Sequence, residues 1–516
     1  MSTVSAGDRS SLQRRWLLAA GLFLSVGLLW RLGRYLLDFP IWGDEAMVAL
    51  NLPDRDFAGL LGQLDHCQVA PPLWLWCEKI ALDHLGPSTL SLRLAPLMAG
   101  CAGLVAHAWL AWNLFPGRAG AMAIGLLAVA IWPVSMSTLI KPYSFDLLAA
   151  ILLLVPASQA LGSPHPARWM LLLAILGPVA ILASFPAMFV AGAVLLALIS
   201  KARVGPVTNK LTFAAMAATI LLSSWASIEV GHNQLESVAN TDGVTTRQGM
   251  DTYWASGFPP KAIAMWVPWL LGAMTGQMMA YPVGASNGGS AVTAIAVVFG
   301  TVCLARQRKA ALLVLLTAPI ALNLVAALIH RYPFGSSGRL CQFLAPTVCL
   351  LAGLGADRLL GLLGPRWSLV SPALVALLAM VGLGGLARDY IYPYRDPVFV
   401  WMRSVMDDAT TAAGDDPVAV RQTRSALECV FTWRWTTSKA RVAWGGELPP
   451  SVMTGNKVWV FHQKGNPVPE GPSPIEKLVS ADSHWKETTF RHWHYPSPRP
   501  EKSPPITVEM VLLERP

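Results

Sequence analysis

Two adjacent carboxylates, Asp44 and Glu45, stand a few residues beyond the first apolar run, in Asp38-Phe-Pro-Ile-Trp-Gly-Asp44-Glu45-Ala-Met-Val-Ala-Leu-Asn51. Neighbours on a helix point about 100° apart, so the two would do different jobs. A carboxylate at a partly desolvated boundary gains basicity and can take a proton from a hydroxyl nucleophile. The same pair would also suit a helix N-terminus with Asp44 as its cap and nothing more. Downstream stand Asp65-His66-Cys67-Gln68-Val69-Ala70-Pro71-Pro72-Leu73-Trp74, where the proline pair opens a helix, and then Leu92-Arg93-Leu94. Lys141-Pro142-Tyr143-Ser144-Phe145-Asp146 follows, with Tyr143 and Asp146 on one helix face. Arg331 and Arg339 come later, at a turn and at the start of an apolar run. Cations gathered at headgroup depth could hold a lipid-linked phosphate, arginine with two-point geometry. Singly, each would serve as a snorkelling anchor.

The elements that must carry these residues are membrane helices. The 516 residues are 54% hydrophobic and only 13% charged, with mean hydropathy +0.47; soluble domains carry about 25% charged residues. Apolar runs that approach or cross a ~30 Å hydrocarbon layer lie at 16–37, 90–113, 118–138, 143–161, 168–184, 186–200, 211–229, 290–305, 310–329, 339–360 and 367–387. About eleven spans are expected, the break near Ser184-Phe185-Pro186 being put there because proline disrupts the helical ladder. The net charge of +9 resides in short segments between runs: Arg9, Arg14, Arg15, Arg118, Arg168, Lys201, Arg203, Lys210, Arg306, Arg308, Lys309, Arg358 and Arg366. This marks cytoplasmic loops rather than nucleic-acid binding.

The expected organisation is a cytoplasmic segment 1–15, with an uncleaved first span after it, and a transmembrane domain 16–390. Its large external connections are 38–89 and 230–289. The Trp-rich stretch Ala262–Ala280 is read as re-entrant or interfacial, and Trp254, Trp266 and Trp269 as interface residues before sugar-stacking ones. The polar run His232–Asp251 reads as flexible. Composition changes after Asp389: Pro397–Ala413 reads as a helix, and Val418–Arg421, Arg441–Trp444, Lys457–His462 and Ile506–Leu513 as strands. Residues 391–516 are thus expected to form a small α/β domain on the external side, and Pro496–Pro505 a loop. Cys67 and Cys77 could pair in an oxidising compartment. His462, His492 and His494 are the nearest approach to a metal ligand set and do not call for one; no cofactor is implied.

The order Trp42-Gly43-Asp44-Glu45-Ala46, Pro71-Pro72-Leu73, Leu92-Arg93-Leu94 with Gly100, Lys141-Pro142-Tyr143, then Arg339 opening a late span, resembles the bacterial membrane glycosyltransferases of the GT-C fold. More narrowly it is similar to the group of protein O-mannosyltransferases, aminoarabinose transferases acting on lipid A, and RgtA/B/C/D-type core transferases. The resemblance covers roughly residues 10–390. It implies an all-α polytopic membrane enzyme of a bacterial inner membrane, with its N-terminus cytoplasmic and its C-terminal domain periplasmic. Such an enzyme moves a sugar from a polyprenyl-phosphate donor to an envelope acceptor: lipid, glycan or protein. Asp44 would then be the base and Glu45 its orienting neighbour; Arg93, Lys141, Tyr143, Arg339 and Arg331 would be donor-site residues, and Pro71 and Pro72 would shape the loop. Many members have His or Lys immediately before the proline pair, where this chain has Ala70.

Two other functions suit a polytopic chain. A transporter or lipid flippase places ionisable residues and broken helices near mid-membrane, often in repeated halves; here the span middles are almost free of charge and no halves are seen. A polymerase or ligase of polyprenyl-diphosphate glycans would also need large external loops.

Overall fold

Long apolar runs with internal hydrogen bonding leave the helix as the spanning element. A computed structural model of the chain describes residues 6–236, 245–284, 287–362, 370–392, 397–420, 429–430, 432–433, 442–443, 456–464, 484–496 and 505–516. Arg366, the middle of the 232–251 polar run and most of the 496–505 piece lie outside the described residues. α1 (Ala6–Leu36) leads to the first connection, which folds into α2 (Gly43–Ala49) and α3 (Pro72–Leu85); α4 (Thr89–Leu114) returns. α5 (Arg118–Ala128), α6 (Ile131–Met136), α7 (Tyr143–Gly162), α8 (Pro166–Ala183), α9 (Ala187–Val204) and α10 (Val207–Leu235) follow. The second connection holds α11 (Thr246–Tyr253) and α12 (Trp266–Ala273), and α13 (Gly289–Arg306), α14 (Ala310–Leu328), α15 (Ala345–Leu362) and α16 (Val370–Ile391) complete the bundle.

Among the described residues, ten helices are long and apolar enough to cross a membrane. Large apolar side chains such as Leu221, Leu222, Trp225 and Ile228 on α10 point outward, as lipid-facing residues should. The expected single run 118–138 is instead a broken crossing. α5 has 11 residues, about 16 Å at 1.5 Å per residue, and α6 resumes after a break at Val129-Ala130. Arg118 at its start pairs with Asp357 near the end of α15 at 2.7 Å. Lys141, beyond its far end, reaches Asp44 at 2.9 Å, so the segment joins opposite faces of the bundle although α5 is too short to count among the ten. The backbone groups freed at the break find partners: Arg31 Nη1 donates to the Ala128 carbonyl at 3.1 Å, a cation at a helix C-terminus, and the Ile131 N–H donates to the Pro282 carbonyl at 3.1 Å. Arg31 is fully buried, an exception to the expected charge-free span interiors.

The helix ends that carry Arg118, Arg168, Lys201, Lys210, Arg306 and Arg358 lie on the face opposite Asp44. The break at 184–186 falls between α8 and α9. Residues 262–280 do not cross: α12 has 8 residues, about 12 Å, and exposes Val267 and Leu271, as the turn before it exposes Ile263. Cys67 and Cys77 are not joined.

On the Asp44 side, α17 (Pro397–Ala413) precedes a five-stranded sheet of order β2-β1-β3-β5-β4. β1 (Val418–Val420), β2 (Val442–Ala443) and β3 (Lys457–Lys464) are parallel, while β4 (Lys486–Tyr495) and β5 (Ile506–Glu514) run antiparallel. β4 was not foreseen; its first seven residues are exposed, so it lacks the alternation that marks a half-buried strand. Met402, Val405 and Met406 of α17 share one apolar core with Ile41, Val48 and Trp74 of the first connection, which docks the tail domain onto that loop.

The position of α15 is set by its tight packing on α13. A Cβ on Gly355 would overlap the Ala296 carbonyl, and one on Gly300 the Leu351 carbonyl. Small residues permit such backbone approach in membranes. Gly355→Ala should therefore force the helices apart and destabilise the fold by about 1–3 kcal/mol. A lowered melting temperature in detergent would bear this out, and an unchanged one would show that the spacing is not limiting.

Candidate active site

α2 begins at Gly43, with Asp44 and Glu45 in its first turn. Glu45, not Asp44, reaches back to the helix start, accepting from the Trp42 N–H at 3.3 Å. Its carboxylate is 1% exposed and lies against Arg93 of α4: Nη2 donates at 3.0 and 3.1 Å and Nε at 3.2 Å. The Ile140 N–H adds a bond at 2.8 Å. Arg93 also donates to the Phe39 and Pro40 carbonyls and lies 3.6 Å from Asp38. Arg93 is thus buried beneath the loop with its donors engaged, and its guanidinium is not gathered with the other candidate phosphate ligands. Glu78 of α3 is also fully buried; burial outweighs the lowering effect of the Trp74 indole and, with a smaller push from Glu45, raises its carboxyl well above the usual range, which favours its neutral form.

About 100° round the helix, Asp44 faces two cations. Lys141 Nζ donates to Oδ1 at 2.9 Å and Arg339 Nη1 to Oδ2 at 3.1 Å. Lys141 comes from the turn between α6 and α7, and Arg339 from a 3-10 turn, Gly338–Leu344, ahead of α15. Gly338 is required there, since a Cβ would overlap the Trp132 indole. Lys141 Nζ donates a second bond to Gln68 Oε1 at 2.7 Å, and Gln68 is held by its Nε2 donating to the His66 carbonyl at 3.0 Å. His66 and Cys67 adopt φ of 60° and 54°, left-handed values uncommon outside glycine, which turn the chain just before Pro71-Pro72. A cation is therefore supplied from another element near the position where Ala70 provides none.

Arg339 Nη2 donates to the Tyr253 hydroxyl at 3.2 Å, and the guanidinium stacks 4.8 Å from the Trp254 ring and 5.9 Å from that of Trp42. Trp254 is thereby part of the cluster, whereas Trp266 and Trp269 donate to nearby loop carbonyls outside it. Tyr143 lies within electrostatic reach of Asp44 and Arg339, and Asp146 accepts from Ser184 at 2.7 Å. Arg331 is exposed and is not brought to the cluster. Gln68 and Tyr253 were missed: neither has a spacing or charge that marks it in sequence. No group of three or more His, Cys, Asp or Glu placed to hold a metal occurs among the described residues.

Burial by itself would raise the Asp44 carboxyl; Lys141 and Arg339 outweigh it and hold the group below the usual carboxylate range. The expected gain in basicity is therefore absent in the resting site, because two hydrogen-bonded cations stabilise the anion. The linkage follows. A depressed folded value contributes stability above the unfolded value near ~3.9, and that stability is lost as pH falls through the folded one. Melting temperatures of the parent and Asp44→Asn should thus differ at neutral pH and converge in strong acid; a gap independent of pH would exclude the ion pairs as its cause. For the buried pair, Arg93→Met should cost about 3–5 kcal/mol by leaving Glu45 unpaired. The double change Arg93→Met/Glu45→Leu should recover much of the loss, and strict additivity in the thermal denaturation would disprove the coupling.

No family model matches the sequence, and no curated protein matches it. Among solved structures, ArnT from Cupriavidus metallidurans in the apo state is similar with TM-score 0.55 and 15% identity, covering 97% of this chain and 98% of that one. The same protein bound to undecaprenyl phosphate gives TM-score 0.53 at 15% identity, covering 95% of this chain and 97% of that one. This multi-pass chain, tail domain included, has the GT-C fold.

Proposed function

We propose that the protein is a membrane glycosyltransferase that moves a sugar from a polyprenyl-phosphate donor to a hydroxyl of an envelope acceptor, on the periplasmic face of a bacterial inner membrane. The observation that carries this reading is the Asp44 carboxylate clasped by Lys141 and Arg339, at the membrane boundary where the first connection meets α7 and the 3-10 turn before α15. Undecaprenyl phosphate bound to ArnT supports a lipid phosphate as the ligand class. The concentration of Lys and Arg on the opposite face supports that face as cytoplasmic.

In the reaction the bond between the sugar's anomeric carbon and the phosphate oxygen breaks, its electron pair leaving on the phosphate. The acceptor oxygen bonds to the same carbon and gives up its proton. The transition state carries oxocarbenium character on the sugar and growing negative charge on the phosphate, which fixed cations stabilise. Lys141 and Arg339 are those cations. A donor phosphate competes with Asp44 for them; once they turn to the phosphate, Asp44 regains basicity and can take the acceptor's proton. Gln68 and Tyr253 hold the two cations from the far side, and the Glu45–Arg93 pair keeps the helix that carries Asp44 in place.

The broken α5–α6 crossing is a feature shared with transporters. Here the residues at the break, Ala128, Val129 and Ala130, are fully buried and apolar, and the cation against them, Arg31, is itself fully buried and donates to the Ala128 carbonyl, so the transferase reading is preferred. The test is release of free polyprenyl phosphate from a panel of polyprenyl-phosphate sugars with crude envelope acceptors. Asp44→Asn should lower release by about 10²–10⁴-fold without lowering donor binding. Lys141→Ala and Arg339→Ala should each weaken donor binding about 10–100-fold, the loss of a charge-assisted hydrogen bond of about 1.5–3 kcal/mol. Full release by Asp44→Asn would remove Asp44 from the base role, and silence with every donor would favour transport.

A further inference from the structure

A transferase needs a place for its second substrate. A cavity of about 320 Å³ opens between the first connection, the start of α4 and α17, a size at the lower end of ligand pockets, roughly 300–1,000 Å³. Its polar centre is Asp38, which accepts from Thr89 Oγ1 at 2.7 Å and from Arg403 Nη2 at 2.8 Å. Asp38 and Arg403 remain 30% and 35% exposed, so both can bond a ligand. Phe399, Met402 and Met406 of α17 line the same space. A carboxylate, a guanidinium and a hydroxyl beside the accessible apolar surface of Phe399 and Leu90 suit a polyol ring: vicinal hydroxyls bridge the ionic groups and the ring's C–H face packs on the apolar side chains. The ionic centre is coupled to the candidate active site through one guanidinium, for Arg93 lies 3.6 Å from Asp38 and 3.0 Å from Glu45.

We infer that this cavity binds a sugar residue of the acceptor, and that α17 makes the tail domain the acceptor-recognition part of the enzyme. The inference rests on the proposed reaction. The donor's sugar must sit beside its own phosphate, at Lys141 and Arg339, whereas the cavity lies on the other side of the buried Glu45–Arg93 layer. It therefore fits a saccharide that reaches in from the acceptor.

The experiment is saturation-transfer NMR on the full chain in lipid nanodiscs, with methyl glycosides of hexoses, heptoses and amino sugars as probes. Leu90→Trp, at an exposed lining position, fills the cavity, and Arg403→Ala removes a donor at a part-exposed position. Polyprenyl phosphate binding is measured on the same samples. Expected is transfer to at least one glycoside, weakened tenfold or more in both variants, with polyprenyl phosphate binding unchanged. No transfer to any glycoside, or transfer that survives both variants, overturns the inference. Displacement of the glycoside by an intact polyprenyl-phosphate sugar also overturns it, since the cavity would then serve the donor. Failure of the parent protein to bind polyprenyl phosphate would count against the transferase reading, separately from the cavity.

Discussion

The buried pair of Glu45 and Arg93 is the constraint from which the arrangement of the active-site loop follows. Removing both ions from water costs several kcal/mol each, so the pair is poor as a source of stability. Its geometry is its use. Glu45 takes three donated bonds from one guanidinium, one from the Ile140 N–H and one from the Trp42 N–H, while the guanidinium spans to the Phe39 and Pro40 carbonyls. The start of α2, the end of α1, the body of α4 and the turn before α7 are thereby fixed to one point. Asp44, one residue away, has no freedom to choose where it faces, and it faces Lys141 and Arg339.

The second constraint lies within the membrane. Lys141 can reach Asp44 only because the crossing that precedes it is broken. An unbroken helix would keep its backbone bonds satisfied, so the break needs compensation in a medium without water. Arg31 supplies it to the Ala128 carbonyl and Pro282 to the Ile131 N–H. The same short segment places Trp132, whose indole donates to Gln277 at 3.1 Å and rests on the backbone at Gly338. The break, the second external connection and the turn bearing Arg339 are thus held by common contacts, and the two cations of Asp44 are positioned by one packed unit.

The tail domain belongs to the same construction. Its helix α17 shares an apolar core with the first connection, and Arg403 pairs with Asp38 at 2.8 Å. Loop and tail domain stabilise each other, and the space left between them is the part-open cavity around Asp38 and Arg403.

Composition and periodicity alone determined that this chain lies in a bilayer, because 54% apolar residues in long runs have no other solvent. They also marked α17 from Pro397 to Ala413, most strands and the break at Ser184–Pro186, while residue type and topological depth grouped Asp44 and Glu45 with Arg93, Lys141, Arg331 and Arg339. Tertiary structure decided which charges meet. Arg93 and Lys141 look alike in sequence, yet one is used up beneath the loop and the other faces Asp44, because burial and partners depend on contacts dozens of residues away. Gln68, Tyr253 and Trp254 belong to the cluster only through folding of the two connections, and Arg331 does not, though it stands eight residues before Arg339. The basicity of Asp44 was misjudged for the same reason. A local apolar setting predicts a raised value, and two cations brought from distant turns reverse it, since Coulomb and hydrogen-bond contributions follow distance in space rather than along the chain.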